Sequence, residues 1–370
     1  MSRHAAAVMA TAGDAHPLPS TRRTLVTTGL AGLAAAGAMV TADRLAGSDA
    51  QDWADFRRRF VTPEGRVLDT GNRNVSHTEG QGYAMLAAVR AGDRSGFHRL
   101  LTWTLENLRR PQSELFAWRY VPDSFPPVLD QNNASDGDLA IAWALLVAGD
   151  RWRIQEYYQQ ALATARELQQ RCFIEVAGRW LFLPGSHGFR NNGRVVVNLS
   201  YYILPALQAL GEALNDPTWV RVEADGLALM SGARFGRHNL PPDWLELTLD
   251  GRAMAPARNW PARFSFDAVR IPLHLCWGGS AAHPLVDACV DYWTRPPGRH
   301  IPAWVGLEDG QEAPYLANAG MLAVVRLAHA AHEPGQHVQH ALPQVNAGAD
   351  YYAAALAMLA RMAWRELRLG

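Results

Sequence analysis

Helical periodicity is the feature of this sequence that most limits its possible folds. From Trp53 almost to the C-terminus, apolar residues recur at the three- and four-residue spacing of helices that pack on a core. Some segments are apolar on nearly all sides and should be buried, whereas others, such as 151–171, carry one polar face. The mixture predicts two concentric layers of helices. Eleven helices are expected, at 53–60, 79–91, 94–109, 137–149, 151–171, 198–213, 217–232, 266–278, 282–293, 315–331 and 349–367.

Loops rich in Pro, Gly and Asn separate these helices, and the longest are 110–133, 184–194 and 296–314. Such loops should gather at the ends of the layers, where binding residues usually lie. Strand signals are sparse. Only 179–183 and 244–248 are expected as short pieces of hairpins.

Composition narrows the class of protein. The chain has 370 residues, of which 48% are hydrophobic and 19% charged, a balance typical of a folded protein with a large core. Its formal net charge is zero, which argues against nucleic acid as a partner. It contains no lysine, so Schiff-base chemistry, a P-loop and a Ser–Lys dyad are excluded.

The cysteines are few and do not form a metal-binding pattern. Cys172, Cys276 and Cys289 are odd in number and contain no C-x-x-C, so a zinc ribbon is not expected. Cys276 and Cys289 either form a disulfide or remain buried free thiols, and the second interpretation is favoured.

Residues 1–45 resemble an export signal. Arg22 and Arg23 precede an uncharged run from Leu25 to Thr41, which is short for a spanning helix and long enough for a signal sequence. The paired arginines indicate the twin-arginine route. The alternative is an uncleaved membrane anchor. In both cases the domain 46–370 would be periplasmic or secreted, and would meet a membrane only through the leader.

Two acidic motifs stand directly before apolar helical segments: Ser76-His77-Thr78-Glu79-Gly80-Gln81-Gly82-Tyr83, and Ala134-Ser135-Asp136-Gly137-Asp138. A carboxylate at a helix start lies among free backbone N–H groups, which hold it in place. The glycines beside Glu79 weaken a helix start and indicate the close approach of another backbone. Together with 13 tryptophans and no nucleotide motif, such positioned acids favour cleavage of a sugar polymer.

The second motif is the start of a longer signature. The run from Ala134 to Ala148, followed by Trp152, resembles the signature of glycoside hydrolase family 8. The segment from Ser76 to Met85 resembles the motif that carries the family's acid, and the segment from Phe266 to Leu273 resembles the one that carries its base. The resemblance extends from about Trp53 to Trp364. Within the family it is strongest to the periplasmic endoglucanases that accompany bacterial cellulose synthase.

The resemblance implies an all-α (α/α)6 barrel that hydrolyses β-1,4-glucan with inversion and needs no metal or cofactor. Glu79 would be the general acid and Asp267 the general base, about 6.5–9.5 Å apart so that a water fits between them. Asp136 would hold the sugar at the cleavage point and favour its distorted form. Arg270, one helical turn after Asp267, would bind substrate and could keep Asp267 ionised. Tyr201 corresponds to a family tyrosine near the base and its water.

Aromatic residues are expected in both the core and the site. Trp103, Trp143, Trp277 and Trp364 lie inside helical apolar patterns and should be core residues. By resemblance, Trp118 would stack on sugar in its loop, and Tyr352 near the last helix is a further candidate for substrate binding. The sequence also departs from the family. Val195–Val197 stand where an aromatic residue is common, and Phe266 where tyrosine is common, so one sugar subsite could differ.

Each acid has an alternative role. Glu79 could serve only to stabilise its helix through a favourable interaction with the helix dipole, and Asp136 could be the N-cap of its helix. Asp138 is expected to be structural. Asp243 and Glu246, beside Trp244, are the alternative bases.

Alternative functions also stay open. The polymer could be chitosan, xylan or mixed-linkage glucan, and the protein could instead bind glycan without catalysis during cellulose assembly, in contact with the cellulose synthase complex. A polysaccharide lyase is disfavoured by the neutral charge. His77 and Glu79 could indicate zinc, but no cysteine pair supports it.

Overall fold

The computed structural model describes residues 48–191, 193–296, 298, 300–333 and 341–369, so the expected leader lies outside the described residues. Within them the chain forms eleven α-helices, one for each helix that the sequence predicts. They are α1 Asp49–Phe60, α2 Thr78–Ala91, α3 Arg94–Leu108, α4 Ser135–Trp152, α5 Gln155–Cys172, α6 Leu204–Leu214, α7 Pro217–Gly232, α8 Arg270–Trp277, α9 Pro284–Thr294, α10 Ala319–His332 and α11 Tyr351–Leu367.

The helices form two layers. Four of them, α2, α4, α8 and α11, are buried on almost all sides, as their apolar sequences require. They make an inner ring of six with α6 and α10, because α2 packs on α4, α4 on α6, α6 on α8, α8 on α10, α10 on α11, and α11 on α2. Outer helices such as α1, α3 and α5 alternate with them along the chain and bury one face each. The result is the predicted (α/α)6 barrel.

Ion pairs close the ring where the first helix meets the last. Asp52 of α1 accepts hydrogen bonds from the Arg361 Nε at 2.9 and 2.8 Å, and both side chains are almost fully buried. Arg365, one turn further along α11, pairs with Asp52 at 2.8 Å and with Asp49 at 2.6 Å. Because each buried charge has an opposite charge beside it, the seam carries no lone buried ion.

Short strands stiffen the loops. They are β1 Ser76–His77, β2 Arg119–Tyr120, β3 Phe173–Val176, β4 Arg179–Phe182, β5 Arg190–Asn191, β6 Arg194–Val197, β7 Leu245–Thr248, β8 Met254–Pro256, β9 Arg263–Phe264 and β10 Val305–Gly306. All pairings are antiparallel: β1 with β2, β3 with β4, β9 with β10, and a four-stranded sheet in the order β5, β6, β7, β8. The two predicted hairpin pieces correspond to β4 and β7.

Several smaller predictions are settled by the structure. Cys172, Cys276 and Cys289 are buried free thiols, so the disulfide alternative is wrong. The tryptophans expected in the core, Trp103, Trp143, Trp277 and Trp364, are buried. Among the described residues, no helix is both long enough and apolar enough to cross a membrane.

Candidate active site

The N-terminal ends of the inner helices meet at one end of the barrel. Glu79 and Asp136 lie in the first turns of α2 and α4, Arg270 begins α8, and Tyr352 lies in the first turn of α11. Their side chains line one pocket of about 240 Å³. It is lined by Asp69, His77, Thr78, Glu79, Trp118, Ala134, Asp136, Tyr201, Phe266, Asp267, Arg270, Tyr351 and Tyr352. The pocket therefore contains all seven residues that the sequence proposes for the site.

Glycines bring Glu79 and Asp136 together. A Cβ on Gly137 would lie 2.1 Å from the Thr78 Oγ1 and 2.7 Å from the Glu79 backbone nitrogen. A Cβ on Gly82, one turn into α2, would lie 2.6 Å from the Cβ of Ala140 in α4. The two helices can touch at these distances only because both positions lack a side chain. This confirms the close backbone approach predicted for Gly82, whereas the atom nearest to a Cβ on Gly80 would belong to a side chain, the Tyr351 hydroxyl at 2.5 Å.

The start of α4 differs in one detail from the prediction. Ala134, not Asp136, is the N-cap, and the Asp136 Oδ1 accepts a hydrogen bond from the backbone nitrogen of Gly137 at 2.8 Å. Asp138 has the structural role expected of it, because it accepts hydrogen bonds from the Phe116 backbone nitrogen and the Asn133 amide at 2.9 and 2.8 Å. The Asp136 Oδ2 is therefore directed into the pocket.

Arg270 is the cation at the centre of three carboxylates. Its Nη1 donates to the Glu79 Oε2 and lies 3.7 Å from the Asp136 Oδ2, while its Nη2 donates to the Asp267 Oδ1 at 2.5 Å. The Arg270 and Asp136 side chains are 5% and 3% exposed, whereas Glu79 and Asp267 are 25% and 29% exposed. Glu79 and Asp267 are therefore accessible to a ligand, and the more deeply buried Arg270 fixes their positions.

Burial decides the protonation of these acids. It raises the pKa of Asp136 well above the usual value, and the charge of Glu79 adds to the effect. The pKa of Asp267 is also raised by burial. Arg270 lowers that pKa, but the burial effect is larger, so the expectation that Arg270 keeps Asp267 ionised is only partly met. The carboxylates in turn raise the pKa of Arg270, against the effect of burial.

Asp267 lies on a turn, and Asp243 holds that turn. The helix predicted from residue 266 begins only at Arg270. The Asp243 carboxylate accepts hydrogen bonds from the backbone nitrogens of Ser265 and Ala268 at 3.0 and 2.8 Å, and from the Ser265 hydroxyl. The other alternative base, Glu246, pairs with Arg194 at 2.6 Å and Arg258 at 3.3 Å. The carboxylates of both alternative bases are therefore already bonded to other groups of the protein.

Two residues that contact the site, Asn198 and His274, were not singled out from the sequence. The Asn198 amide lowers the pKa of Asp267, although its nitrogen makes no hydrogen bond of ordinary geometry. Buried His274 lies with its Nδ1 2.9 Å from the carbonyl of Ser200, next to Tyr201. Burial lowers the pKa of His274 to about 3, so it is neutral and donates to that carbonyl. His274 thereby fixes the 3₁₀ turn Leu199–Tyr201.

Aromatic side chains form the walls. The Trp118 ring stacks on His77 at 5.9 Å and 10°, and its Nε1 donates to Asp130 at 2.9 Å. The Tyr352 hydroxyl donates to the carbonyl of Phe266 at 2.6 Å, directly before Asp267. Tyr351, which the sequence reasoning missed, is buried, with a hydroxyl that has no hydrogen-bond partner. Its position beside Tyr352 at a helix start is the sequence feature that could have indicated Tyr351 as a site residue.

The pocket offers acid–base chemistry. Four carboxylates line it, those of Asp69, Glu79, Asp136 and Asp267, and carboxyl groups can exchange protons with a bound molecule. The carboxylates and the Arg270 guanidinium can also bind its hydroxyls. In the described part of the chain, no group of three or more His, Cys, Asp and Glu side chains is arranged to hold a metal ion.

Comparison with known proteins identifies the family of this chain. The family model described as glycosyl hydrolases family 8 matches residues 19–366. A probable endoglucanase of Novacetimonas hansenii is 39% identical over 317 residues, which are 86% of this chain and 91% of that protein. An endoglucanase of Cellulomonas uda is 41% identical over 74% of this chain and 75% of its own length. The structure of endo-β-1,4-glucanase CMCax from Acetobacter xylinum superposes with a TM-score of 0.82 at 38% identity, covering 87% of this chain and 99% of that chain. The chain therefore belongs to glycosyl hydrolase family 8 and is a glycoside hydrolase.

Proposed function

We propose that this protein is an endo-β-1,4-glucanase that cleaves β-1,4-glucan with inversion of the anomeric carbon. The observation that carries the proposal is the position of Arg270, which holds Glu79, Asp136 and Asp267 around one pocket. The names of relatives at 39–41% identity, which are endoglucanases, support the same polymer.

The residues would divide the reaction as follows. Glu79 donates a proton to the glycosidic oxygen, so that the departing sugar leaves as an alcohol. Asp267 removes a proton from a water molecule, whose oxygen bonds to the anomeric carbon from the opposite face. Asp136, buried beside both, would bind hydroxyls of the sugar at the cleavage point and favour its distorted form. Arg270 would keep the carboxylates in place and contact the substrate.

The aromatic walls would bind the sugar units beside the cleavage point. Trp118 presents a partly exposed indole in the pocket, and an indole offers broad apolar contact to the face of a sugar. Tyr352 and Tyr201 would border the reacting sugar, with Tyr201 next to the water. The unpartnered hydroxyl of Tyr351 is a further group that a sugar hydroxyl could satisfy.

Product analysis with soluble cellulose, chitosan and xylan side by side tests the polymer. We expect rapid loss of viscosity and a mixture of oligomers from cellulose only. Preferential cleavage of xylan or chitosan would retain the mechanism and overturn the substrate. Proton NMR of the early products tests the stereochemistry, because inversion at a β-bond must first release an α-configured reducing end. An initial β product would mean a covalent intermediate and a different site.

We also propose that residues 1–45 are a twin-arginine export signal, and that the catalytic domain 46–370 acts in the periplasm or outside the cell, where it serves cellulose synthesis beside the cellulose synthase complex. The sequence of the leader supports the export route. Replacing both Arg22 and Arg23 with lysine should leave the enzyme in the cytoplasm on cell fractionation. Unchanged export would contradict the route.

A further inference from the structure

Asp243 and Trp244 lie outside the pocket, yet together they contact both sides of the proposed hydrolytic centre. Asp243 bonds to the turn that carries Asp267. Trp244 meets Tyr201 edge to face at 6.0 Å between ring centroids. We propose that these two residues, the Asp243–Trp244 clamp, position the base and Tyr201 for catalysis. The proposal deepens the proposed function and rests on it.

The turn around Asp267 needs an outside acceptor. Because α8 begins at Arg270, the backbone nitrogens of Ser265 and Ala268 have no acceptor within that helix. The Asp243 Oδ1 accepts from both nitrogens, and its Oδ2 accepts from the Ser265 hydroxyl. One carboxylate thus bonds to residues on both sides of Asp267, and this contact limits how far the base can move along or across the pocket.

The clamp is itself rigid. The Asp243 backbone nitrogen donates to the carbonyl of Arg263 at 2.8 Å. The Trp244 ring stacks on Phe189, at 6.0 Å and 5°, and on Trp260, at 4.7 Å and 15°. These two parallel neighbours limit how the Trp244 ring can turn against Tyr201.

Asp243 is suited to positioning rather than to proton removal. Its carboxylate already accepts three hydrogen bonds from the protein, and such an acceptor is poorly placed to take a proton from a water molecule. Burial, followed by the charge of Asp267, raises the pKa of Asp243 to about 6. The hydroxyl of Tyr352, from α11, also interacts with Asp243. The role therefore depends on the acceptor atoms, which an amide largely reproduces.

The test compares Asp243→Asn with Asp243→Ala in the full chain. Asparagine keeps an oxygen for the two backbone nitrogens and an amide opposite the Ser265 hydroxyl, so kcat on soluble cellulose should stay within about tenfold of the parent. Alanine removes all three contacts and should lower kcat about 10²-fold, with KM nearly unchanged, because a misplacement of about 1 Å costs that much. Equal and near-complete loss in both variants would make Asp243 the base, and full activity in the alanine variant would also overturn the proposal.

A second measurement does not depend on turnover. Amide hydrogen exchange at Ser265 and Ala268 should be at least about tenfold faster in Asp243→Ala than in Asp243→Asn, because only the alanine variant frees both nitrogens. If the exchange rates were the same in both variants, the clamp would be refuted even for a protein that cleaves no glucan. If the rates differed as expected but the parent protein cleaved no glucan, only the proposed function would be refuted. If the alanine variant does not fold, Ser265→Ala, which removes a single contact, should lower kcat several-fold, and full activity there would refute the clamp.

Discussion

A single methyl group added at Gly137 should show how far the packing of α4 on α2 controls catalysis. It lies in α4 next to Asp136, and its backbone touches the start of α2, which carries Glu79. In Gly137→Ala the new Cβ would lie 2.1 Å from the Thr78 Oγ1, 2.6 Å from the Thr78 Cβ and 2.7 Å from the Glu79 nitrogen. Unbonded carbon and oxygen atoms need about 3.3–3.6 Å. The start of α2 must therefore move by about 1 Å.

Such a movement shifts Glu79 relative to the other two acids. A displacement of about 1 Å in a reacting group costs about 10²-fold in rate, and forcing an extra methyl into a packed contact costs about 1–3 kcal/mol of stability. We therefore expect Gly137→Ala to fold, to melt at a lower temperature, and to lose about two orders of magnitude in kcat on soluble cellulose.

Gly149→Ala is the matched control. Gly149 lies at the other end of the same helix, where an added Cβ would lie 2.8 Å from the Tyr158 nitrogen in α5, far along the chain from the acids. Both variants should therefore lose similar stability, measured by thermal unfolding, but only Gly137→Ala should lose activity well below its melting temperature. Equal activity of the two variants would refute the argument that the α2–α4 contact sets the geometry of the acids.

Three further predictions address single residues. Glu79→Gln should lower kcat by about 10²–10⁴ without a change in melting temperature, because general acid catalysis contributes that much, and activity within about threefold of the parent would remove Glu79 as the acid. Trp118→Ala should raise KM for long cello-oligosaccharides far more than it lowers the melting temperature, whereas a large loss of stability would make Trp118 a core residue. Because the pKa of His274 is about 3 and that of an unfolded histidine is near 6.5, the free energy of unfolding should fall as pH drops from 6.5 towards 3, by up to about 1.4 kcal/mol per pH unit. His274→Asn should flatten that slope in urea unfolding at several pH values, and an unchanged slope would contradict the assignment.

The two helical layers were predictable because the apolar period distinguishes buried from half-exposed helices, whereas the (α/α)6 barrel was expected only from the family resemblance. Helix boundaries were less predictable. The helix expected from residue 266 begins at Arg270 because Asp243 takes the backbone nitrogen of Ala268. The helix expected from 198 begins at Leu204 because the Asn198 side chain caps a separate 3₁₀ turn. The first event depends on a contact between residues 25 positions apart, which no local pattern reveals. The second is local, because Asn198 caps a backbone nitrogen two residues later.

The site was predictable to different degrees. Glu79 and Asp136 stand in motifs whose glycines and apolar helices show a positioned acid, and the structure places both at one helix contact. Asp267 stands in no such motif and was recognised only through the family resemblance. Asn198 and Tyr351 were missed because their importance comes from partners about 70 and 270 residues away in the sequence, Asp267 and Glu79. The same is true of Asp243, which the sequence suggested as a base.

The charge of the pocket explains how an acid and a base can act at the same pH. An inverting enzyme needs one protonated and one ionised carboxyl group together. Here three carboxylates surround one guanidinium, and burial raises the pKa of both Asp136 and Asp267. Full ionisation of these three carboxyls would leave two uncompensated negative charges around Arg270. The raised pKa values of Asp136 and Asp267 mean that this pair keeps a proton at a pH where isolated carboxyls have lost theirs. Because Arg270 donates to Glu79 and Asp267 through different nitrogens, a sugar that displaces the Glu79 contact leaves the Asp267 contact intact. In the proposed mechanism, Asp267 would therefore keep its contact with Arg270 while Glu79 meets the glycosidic oxygen.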